Sequence, residues 1–436
     1  VRSTLLYIPQ FISGDPFGLP MFGWGWMLIA WLFVAAGLIY AWPRLSKAKL
    51  DLTGLLPYIG LVALGVVFVL PRLLVEYQEA GVTKIGLPIR TYGMFMVAAV
   101  ISGVLLAAYR ARRMGIDPEV IYSLAMLMTI SGIVGARLFF VTQYWHEFHV
   151  AGDTWATLKK VINMPQGGLV VYGAVIGAFP VGIWYLWSRR LPPLVIADIV
   201  APSLLLGLAL GRVGCFMNGC CYGGFCSTMP PAVTFPAGSP PYARQEDLGW
   251  RTGIWLKQQG EGKENEPPKI VVAFVAPDSV AAMQQVRAGD EIKKINGKQV
   301  SSLTDAQQQL AGSSGNVELE LNGDRLIRWT NAPSPQRSAP VHPAQLYAAI
   351  DAGLLALLLW VFYPFRRHDG EVAAIMMIVH PLSRILLEII RVDEGGQFGT
   401  SLTISQWVSI GLLLIGVALL AYIETQPRGS LVPAKA

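Results

Sequence analysis

The chain has 436 residues, 53% of them hydrophobic and only 14% charged, with a mean hydropathy of +0.47 and a formal net charge of +6. An ordinary soluble domain is about a quarter charged, so this composition excludes one and points to a protein of the lipid bilayer. The positive residues are scattered over short loops and form no single basic face, which speaks against a nucleic-acid partner.

Lipid offers backbone N–H and C=O groups no partner outside the chain, so apolar runs of about 20 residues cross it as helices. Nine such runs follow in chain order, at about residues 24–42, 53–73, 92–109, 119–142, 169–187, 194–216, 343–363, 371–391 and 403–424. Ahead of the first lies Arg2, but no apolar core with a small-residue cleavage site, so the first span is expected to be retained. Every second connection is basic: Arg44, Lys47 and Lys49, then Arg110, Arg112 and Arg113, then Arg189 and Arg190, then Arg366 and Arg367. Lys and Arg collect on the cytoplasmic side, so the N-terminus is expected outside and the C-terminus inside. "GLPMFGWGWMLIAW" from Gly18 and "GLPIRTYGMFMVAA" from Gly86 align where two spans begin. A duplication there would make the first two spans an addition to a seven-span core.

Between the sixth and seventh runs, from about Leu248 to Trp329, the chain turns polar. Short β-type runs at 270–275, 291–295 and 317–321 alternate with a helical run and Gly, Asp and Asn turns, as in a small β-rich domain. The phasing places it outside. "VVAFVAPDS" followed by "AGDEIKKINGKQVSS" resembles the PDZ family, most specifically at Gly289-Asp290 and Asn296-Gly297. In the place of that family's carboxylate-binding loop stands "TGIW", with Thr252, Gly253, Ile254 and Trp255. The resemblance implies a peptide captured by strand addition to a sheet edge. A spacer domain with a vacant groove is the alternative. The expected fold is thus an all-α polytopic membrane protein of about nine transmembrane helices with an inserted extracytoplasmic PDZ-like domain. Its parts are 1–85 (two extra helices), 86–247 (first part of the core), 248–330 (the insert) and 331–436 (second part of the core).

The sixth run ends in "GRVGCFMNGCCYGG", which carries Arg212. An arginine near the centre of a membrane helix costs about 2.5–3.5 kcal/mol on insertion scales, so it normally faces a counter-charge or a watery cavity. The eighth run contains "SRILLEIIRVDE", whose Arg384, Glu388 and Arg391 stand at i, i+4 and i+7 on one helical face. The fourth run adds Arg137. In the plainer reading, Glu388 neutralises its own helical neighbours and the end-most arginines snorkel to the interface. One carboxylate balances only part of this charge, however, and the fork geometry of arginine suits a phosphate headgroup.

"GRVGCFMNGCCYGG" resembles the signature of the bacterial prolipoprotein diacylglyceryl transferases, G-R-x-G-N-F-x-N-G-x-x-x-G. Agreement extends, in the family's order from about residue 86 to 424, to "LPIRTYG", "QGGLVVYGAVIGA", "HPAQLY", and "SRILLEIIRVDE" followed by "TISQW". The resemblance implies transfer of a diacylglyceryl group from phosphatidylglycerol to the lipobox cysteine thiol of secreted prolipoproteins, with release of glycerol phosphate and no metal or cofactor. It implies a bacterial inner membrane location. Arg212 and Arg384 match the family's essential arginines, and Asn218, Gly219 and Gly223 its headgroup loop. Tyr92 matches a site tyrosine, and Glu388 and Arg391 the carboxylate and second arginine. Arg137 and His342 join the expected substrate-binding set.

Two departures stand out. Tyr172 occupies the place of the histidine to which the proton step is assigned in the family's well-known form, and a phenol of pKa about 10 is a poor base at neutral pH. Either Tyr172 hydrogen-bonds the headgroup and another group takes the proton, or the chemistry differs; His342 is the nearest histidine carried by a motif. Cys215 replaces the signature's asparagine, with Cys220, Cys221 and Cys226 close behind. Their C-x4-C-C-x4-C spacing lacks the paired C-x2-C of zinc sites, so no metal is expected. Disulfides pinning the loop, small buried side chains and a catalytic thiol remain open. Three functions compete: the prolipoprotein transferase, a related phospholipid-using transferase with another acceptor, and a non-catalytic lipid-binding protein whose PDZ-like domain reads envelope peptides. Retention of Arg212, Arg384, Glu388 and Arg391 disfavours the third.

Overall fold

The computed structural model describes residues 4–11, 17–46, 59–79, 82–162, 168, 170–226, 231–260, 268–313, 316–322, 325–330, 333–391, 395–397 and 399–430. Lys47 and Lys49, the first residues of the second expected span, Gln166 and Gly167 of "QGGLVVYGAVIGA", and 392–394 of "SRILLEIIRVDE" lie outside them. The chain divides into two compact units, one of residues 4–94 and 119–191, the other chiefly of 95–118 and 192–436.

The first unit contains β1 (Thr4–Pro9), α1 (Trp26–Ser46), α2 (Ile59–Leu73), β2 (Val75–Glu79) and β3 (Val82–Arg90). Helix α3 (Thr91–Arg113) follows β3 and continues into the second unit. The first unit resumes with α4 (Pro118–Gln143), α5 (Trp145–Phe148), α6 (Thr154–Ile162) and α7 (Val171–Ser188). Strands β1, β3 and β2 form an antiparallel sheet in that order, which corrects the all-α expectation for the membrane part. Its strands are short and rich in β-branched and aromatic residues, and they abut apolar runs whose helical signal dominates the sequence. Gly86 is required there. A Cβ on it would lie 2.7 Å from the Ile8 carbonyl oxygen and 2.9 Å from the Tyr77 ring, which itself stacks on Tyr7 at 4.2 Å. The residues around Gly18 form a bend before α1, so the two segments read as a repeat differ in conformation. Helices α4 and α7 meet at small residues: a Cβ on Gly135 would lie 2.4 Å from the Gly173 carbonyl oxygen and 2.8 Å from the Gly177 Cα. "GAVIG" is therefore a close-packing seam, as small residues four apart are in membrane helices.

The second unit is built on α8 (Pro193–Asn218), which precedes α9 (Pro240–Glu246) and a β-rich insert. The insert comprises β4 (Ile254–Gln259), β5 (Lys269–Val275), α10 (Val280–Met283), β6 (Ile292–Ile295), β7 (Lys298–Gln299), α11 (Leu303–Ala311), β8 (Val317–Leu321) and β9 (Leu326–Trp329). Helices α12 (Ala344–Phe362), α13 (Glu371–Glu388) and α14 (Ile404–Glu424) complete the unit. Helix α8 packs on α12 and α13, and α13 on α12 and α14. The insert has a hydrophobic core of its own, including Ile254, Ile270, Ile295, Leu319 and Leu321, between a β4–β5 ribbon and a sheet of order β7-β6-β8-β9. Gly289, Asn296 and Gly297 take left-handed φ values of +96°, +49° and +78°, so the residues that carry the PDZ resemblance are turn residues.

Among the described residues six helices, α3, α4, α7, α8, α12 and α14, are long and apolar enough to cross a membrane. The other three expected spans fall on helices that are shorter in their described apolar part, α1 and α2, or that carry Glu371, Arg384 and Glu388, as α13 does. Of the arginines counted as loop charges, Arg110 is buried and Arg366 is largely withdrawn from solvent. Arg110 lies in α3 with its guanidinium 3.8 Å from the ring centres of both Trp360 and Tyr363. Arg366 reaches Asp198 of α8 at 3.6 Å. Asp198 has a second task. Helix α13 begins after Gly370, which has no side chain to cap it, and the Asp198 carboxylate accepts the N–H of Gly370 at 2.8 Å and of Ala373 at 2.9 Å. An anion from another helix thus supplies the cap. Replacing it (Asp198→Ala) strips both amides and leaves Arg366 buried without this partner, with an expected cost of about 3 kcal/mol. Thermal unfolding in detergent, with Asp198→Asn as the milder comparison, measures it.

Candidate functional site

Helix α8 stops at Asn218 because Gly219 takes φ +82°, and the Gly219 N–H returns to the carbonyls of Cys215 (2.9 Å) and Phe216 (3.2 Å). A Cβ at Gly219 would be strained and would press on Phe235 and Pro241. Beyond it the chain becomes a ribbon between two other segments. Gly223 N–H donates to the His342 carbonyl at 2.9 Å and Gly224 N–H to the Ile390 carbonyl at 2.9 Å. His342 N–H donates to the Gly224 carbonyl at 3.0 Å, and Gly223 bridges with Arg391. A Cβ on Gly223 would lie 2.7 Å from the Cβ of His342, so a side chain would push the segments apart. Gln345 of α12 fastens the ribbon by donating to the Cys220 carbonyl at 2.7 Å. Five expected site residues, Asn218, Gly219, Gly223, His342 and Arg391, are thereby assembled by main-chain geometry.

The charged groups sit beside this ribbon. Glu388 is 4% exposed and accepts from Arg384 in a short ion pair, from Arg391 at 3.4 Å and from the Thr403 hydroxyl at 3.1 Å. Thr403 also caps α14 through a reciprocal box with Gln406, and Arg384 donates to Ser405 at 3.1 Å. One buried carboxylate therefore fixes two arginines and the start of the next helix. Arg212, half-buried on α8, is close enough to act electrostatically on Arg384. Among the described residues, no carboxylate lies within ion-pair distance of Arg212.

The sequence reading missed several neighbours. Ser383 donates to Asp351 of α12 at 2.7 Å. His380, one turn before Arg384, has a buried Nδ1 that takes no hydrogen bond among the described residues, and it faces the charges of Asp351, Arg384 and Arg212. The signal was present in the spacing, since 380, 384 and 388 continue one helical stripe. Even with Asp351 included, three arginines face two carboxylates, a surplus of positive charge.

The remaining expected residues fall elsewhere. In the first unit Tyr92 and Tyr172 are 37% and 36% exposed. Arg137 is buried there and donates to the carbonyls of Val161 (2.8 Å), Lys160 (3.0 Å) and Gly168 (3.2 Å). It caps the C-terminus of α6, where a cation is favourable. In the "TGIW" segment Thr252 and Ile254 are buried, and the N–H groups of Thr252 and Gly253 donate to the Gly249 and Trp250 carbonyls. Both amides are engaged within their own turn. Trp255 instead stacks on Phe225, just past the ribbon, at 5.7 Å. Burial raises the pKa of the Tyr242 phenol, which stays a donor to the Pro335 carbonyl at 2.7 Å and helps tie the insert's base. The Sγ atoms of Cys215, Cys220 and Cys221 lie within 4.8 Å of one another, a trio of thiols that linear spacing did not reveal and the one set here suited to a soft metal ion among the described residues.

Glu388→Gln removes the charge that holds Arg384 and Arg391 and is expected to destabilise the protein by about 3 kcal/mol. Thr403→Val, which loses one hydrogen bond and a cap, is expected to cost about 1–2 kcal/mol. Thermal unfolding of the two variants beside the parent tests the order of these effects.

Comparison with known proteins follows the same lines. The family described as "Prolipoprotein diacylglyceryl transferase" matches residues 80–422. A protein of Rhodopirellula baltica, named phosphatidylglycerol–prolipoprotein diacylglyceryl transferase, is 35% identical over 445 aligned positions, covering 94% of this chain and 87% of that protein. Proteins with the same name from Clostridium tetani and Bdellovibrio bacteriovorus are 21% and 24% identical, each over 76% of this chain and over 92% and 88% of their own length. The matched stretch contains the glycine ribbon, the Arg384–Glu388–Arg391 stripe and the Thr403 cap, and the chain belongs to the prolipoprotein diacylglyceryl transferase family.

Proposed function

We propose that this chain transfers a diacylglyceryl group from phosphatidylglycerol to the lipobox cysteine thiol of a prolipoprotein, forming a thioether and releasing glycerol phosphate. The observation that carries the reading is the surplus of arginine around one buried carboxylate, beside a glycine ribbon, in a member of this family. Attack by sulfur on the glyceryl carbon drives negative charge onto the departing phosphate oxygen, and prearranged cations stabilise that charge more in the transition state than in the ground state. Arg212, with no carboxylate partner among the described residues, takes the phosphate. Arg384 and Arg391 are aimed by Glu388, which acts through them. Asn218, Gly219 and Gly223 let the headgroup approach the main chain. Tyr92 and Tyr172 enter as headgroup contacts on the family resemblance alone, and Arg137, committed to carbonyls, is left out.

The same proposal takes the chain as a multi-pass protein of the bacterial inner membrane, with α1, α2 and α13 as further spans, the N-terminus outside and the ribbon and insert on the outer side. It keeps the insert at 248–330 as a PDZ-like domain between two parts of a transferase core. The stacking of Phe225 on Trp255 and Trp250 on Phe274 favours a buttress for the ribbon over a peptide receptor. A second reading, the same lipid chemistry on another acceptor, is favoured by one observation: a tyrosine at 172 where the family's well-known form has a histidine.

Transfer of labelled diacylglyceryl from phosphatidylglycerol to a lipobox peptide by the full-length protein tests the reading. Arg212→Ala is expected to lower kcat/KM by about a hundredfold or more while the protein stays folded. A folded, fully active Arg212→Ala variant overturns the role of the arginine. Turnover of the lipid that ignores the peptide moves the acceptor to the second reading.

A further inference from the structure

In the transfer step the S–H bond of the acceptor breaks, a C–S bond forms at the glyceryl carbon, and the C–O bond to phosphate breaks with its electron pair left on oxygen. The thiol proton needs a destination. Tyr172 is a phenol, and Glu388 is already engaged by two arginines and a threonine. The chain has five histidines. His146 and His149 are exposed in the connection after α4, and His368 lies ahead of α13, sixteen residues or about 24 Å of helix from Arg384. His342 gives its backbone to the ribbon and its Nδ1 lies 3.4 Å from the Tyr347 hydroxyl.

His380 remains. It occupies the stripe of Arg384 and Glu388, and its Nδ1 is buried without a hydrogen bond among the described residues. The charged groups that face it are Asp351 of α12, Arg384 of its own helix and Arg212 of α8. We propose that His380 is the proton acceptor for the thiol, a role for which the phenol of Tyr172 is poorly suited. The inference rests on the transferase reading above. Phosphate bound at Arg212 and Arg384 offsets the two cations nearest the ring, so the imidazolium forms when the anionic substrate is in place. Asp351, held by Ser383, is the carboxylate that faces this new charge. The imidazolium then returns its proton to the departing glycerol phosphate, which closes the balance without any co-reactant.

The test compares the parent, His380→Gln and Tyr172→Phe, full-length in phosphatidylglycerol vesicles, on two acceptors: a lipobox peptide with its cysteine, and the same peptide with selenocysteine, whose selenol is already ionised at neutral pH. With the cysteine peptide, His380→Gln is expected to lower kcat by about a hundredfold to ten-thousandfold at unchanged phosphatidylglycerol binding. With the selenocysteine peptide, which has no proton to give up, most of that deficit should vanish. The residual rate of His380→Gln on the cysteine peptide should climb with pH as the free thiol ionises. An equal deficit on both peptides, or full activity of His380→Gln, overturns the inference while leaving the transferase reading standing. A selenium-sensitive loss in Tyr172→Phe instead reassigns the proton to Tyr172. A parent inactive toward both peptides overturns the transferase reading and this inference together.

Discussion

A single buried carboxylate organises the junction of α13 and α14 in the second unit. Glu388 lies where α13 is about to end, and water does not share its charge. Left alone there it would cost several kcal/mol, and an arginine beside it would cost as much; together they satisfy one another only in a narrow geometry. The carboxylate reaches Arg384 one turn back, Arg391 just beyond the helix and Thr403 at the start of α14. Two of these contacts remove freedom from a cation, and the third ties the pair to the next helix. The strength of a pair so placed is a poor argument for stability. Its value lies in fixing where the remaining positive charge points.

The glycine ribbon is the complementary constraint. Charged side chains stabilise a leaving phosphate only if the lipid headgroup can come close, and here three backbone segments touch at Gly223 with no room for a Cβ. The ends of α8 and α13 and the segment before α12 are stitched together by main-chain hydrogen bonds, so the arginines of two helices share one frame. The insert leans on this frame through Phe225, Trp250, Trp255 and Phe274.

Helical stripes were legible in the sequence because periodicity survives translation into a helix unchanged. Arg384, Glu388 and Arg391 could be grouped without coordinates, and so could the strands at 270–275, a short unbroken apolar run, and at 317–321, whose alternation matches a half-buried sheet. Arg137 shows what a sequence leaves open. A lone arginine in an apolar helix announces that it needs a partner, but not whether that partner is a ligand or the carbonyl end of a nearby helix. The cysteine spacing likewise gave no hint that a helix terminus brings the thiols of Cys215, Cys220 and Cys221 within 4.8 Å of one another, since spacing rules describe short local loops.

The sequence by itself determined the membrane class, the boundaries of most helices, the β character of the insert and the family's ordered motifs. These are set by local composition and by periods of two and 3.6 residues. Only the tertiary structure decided that Asp198 caps a helix far along the chain, that Arg110 is buried and Arg366 largely withdrawn from solvent, that Arg137 donates to backbone carbonyls, and that the Nδ1 of His380 takes no hydrogen bond among the described residues. A buried polar group is defined by what surrounds it in space. Its partners come from residues scores of positions away, and no local pattern carries that information.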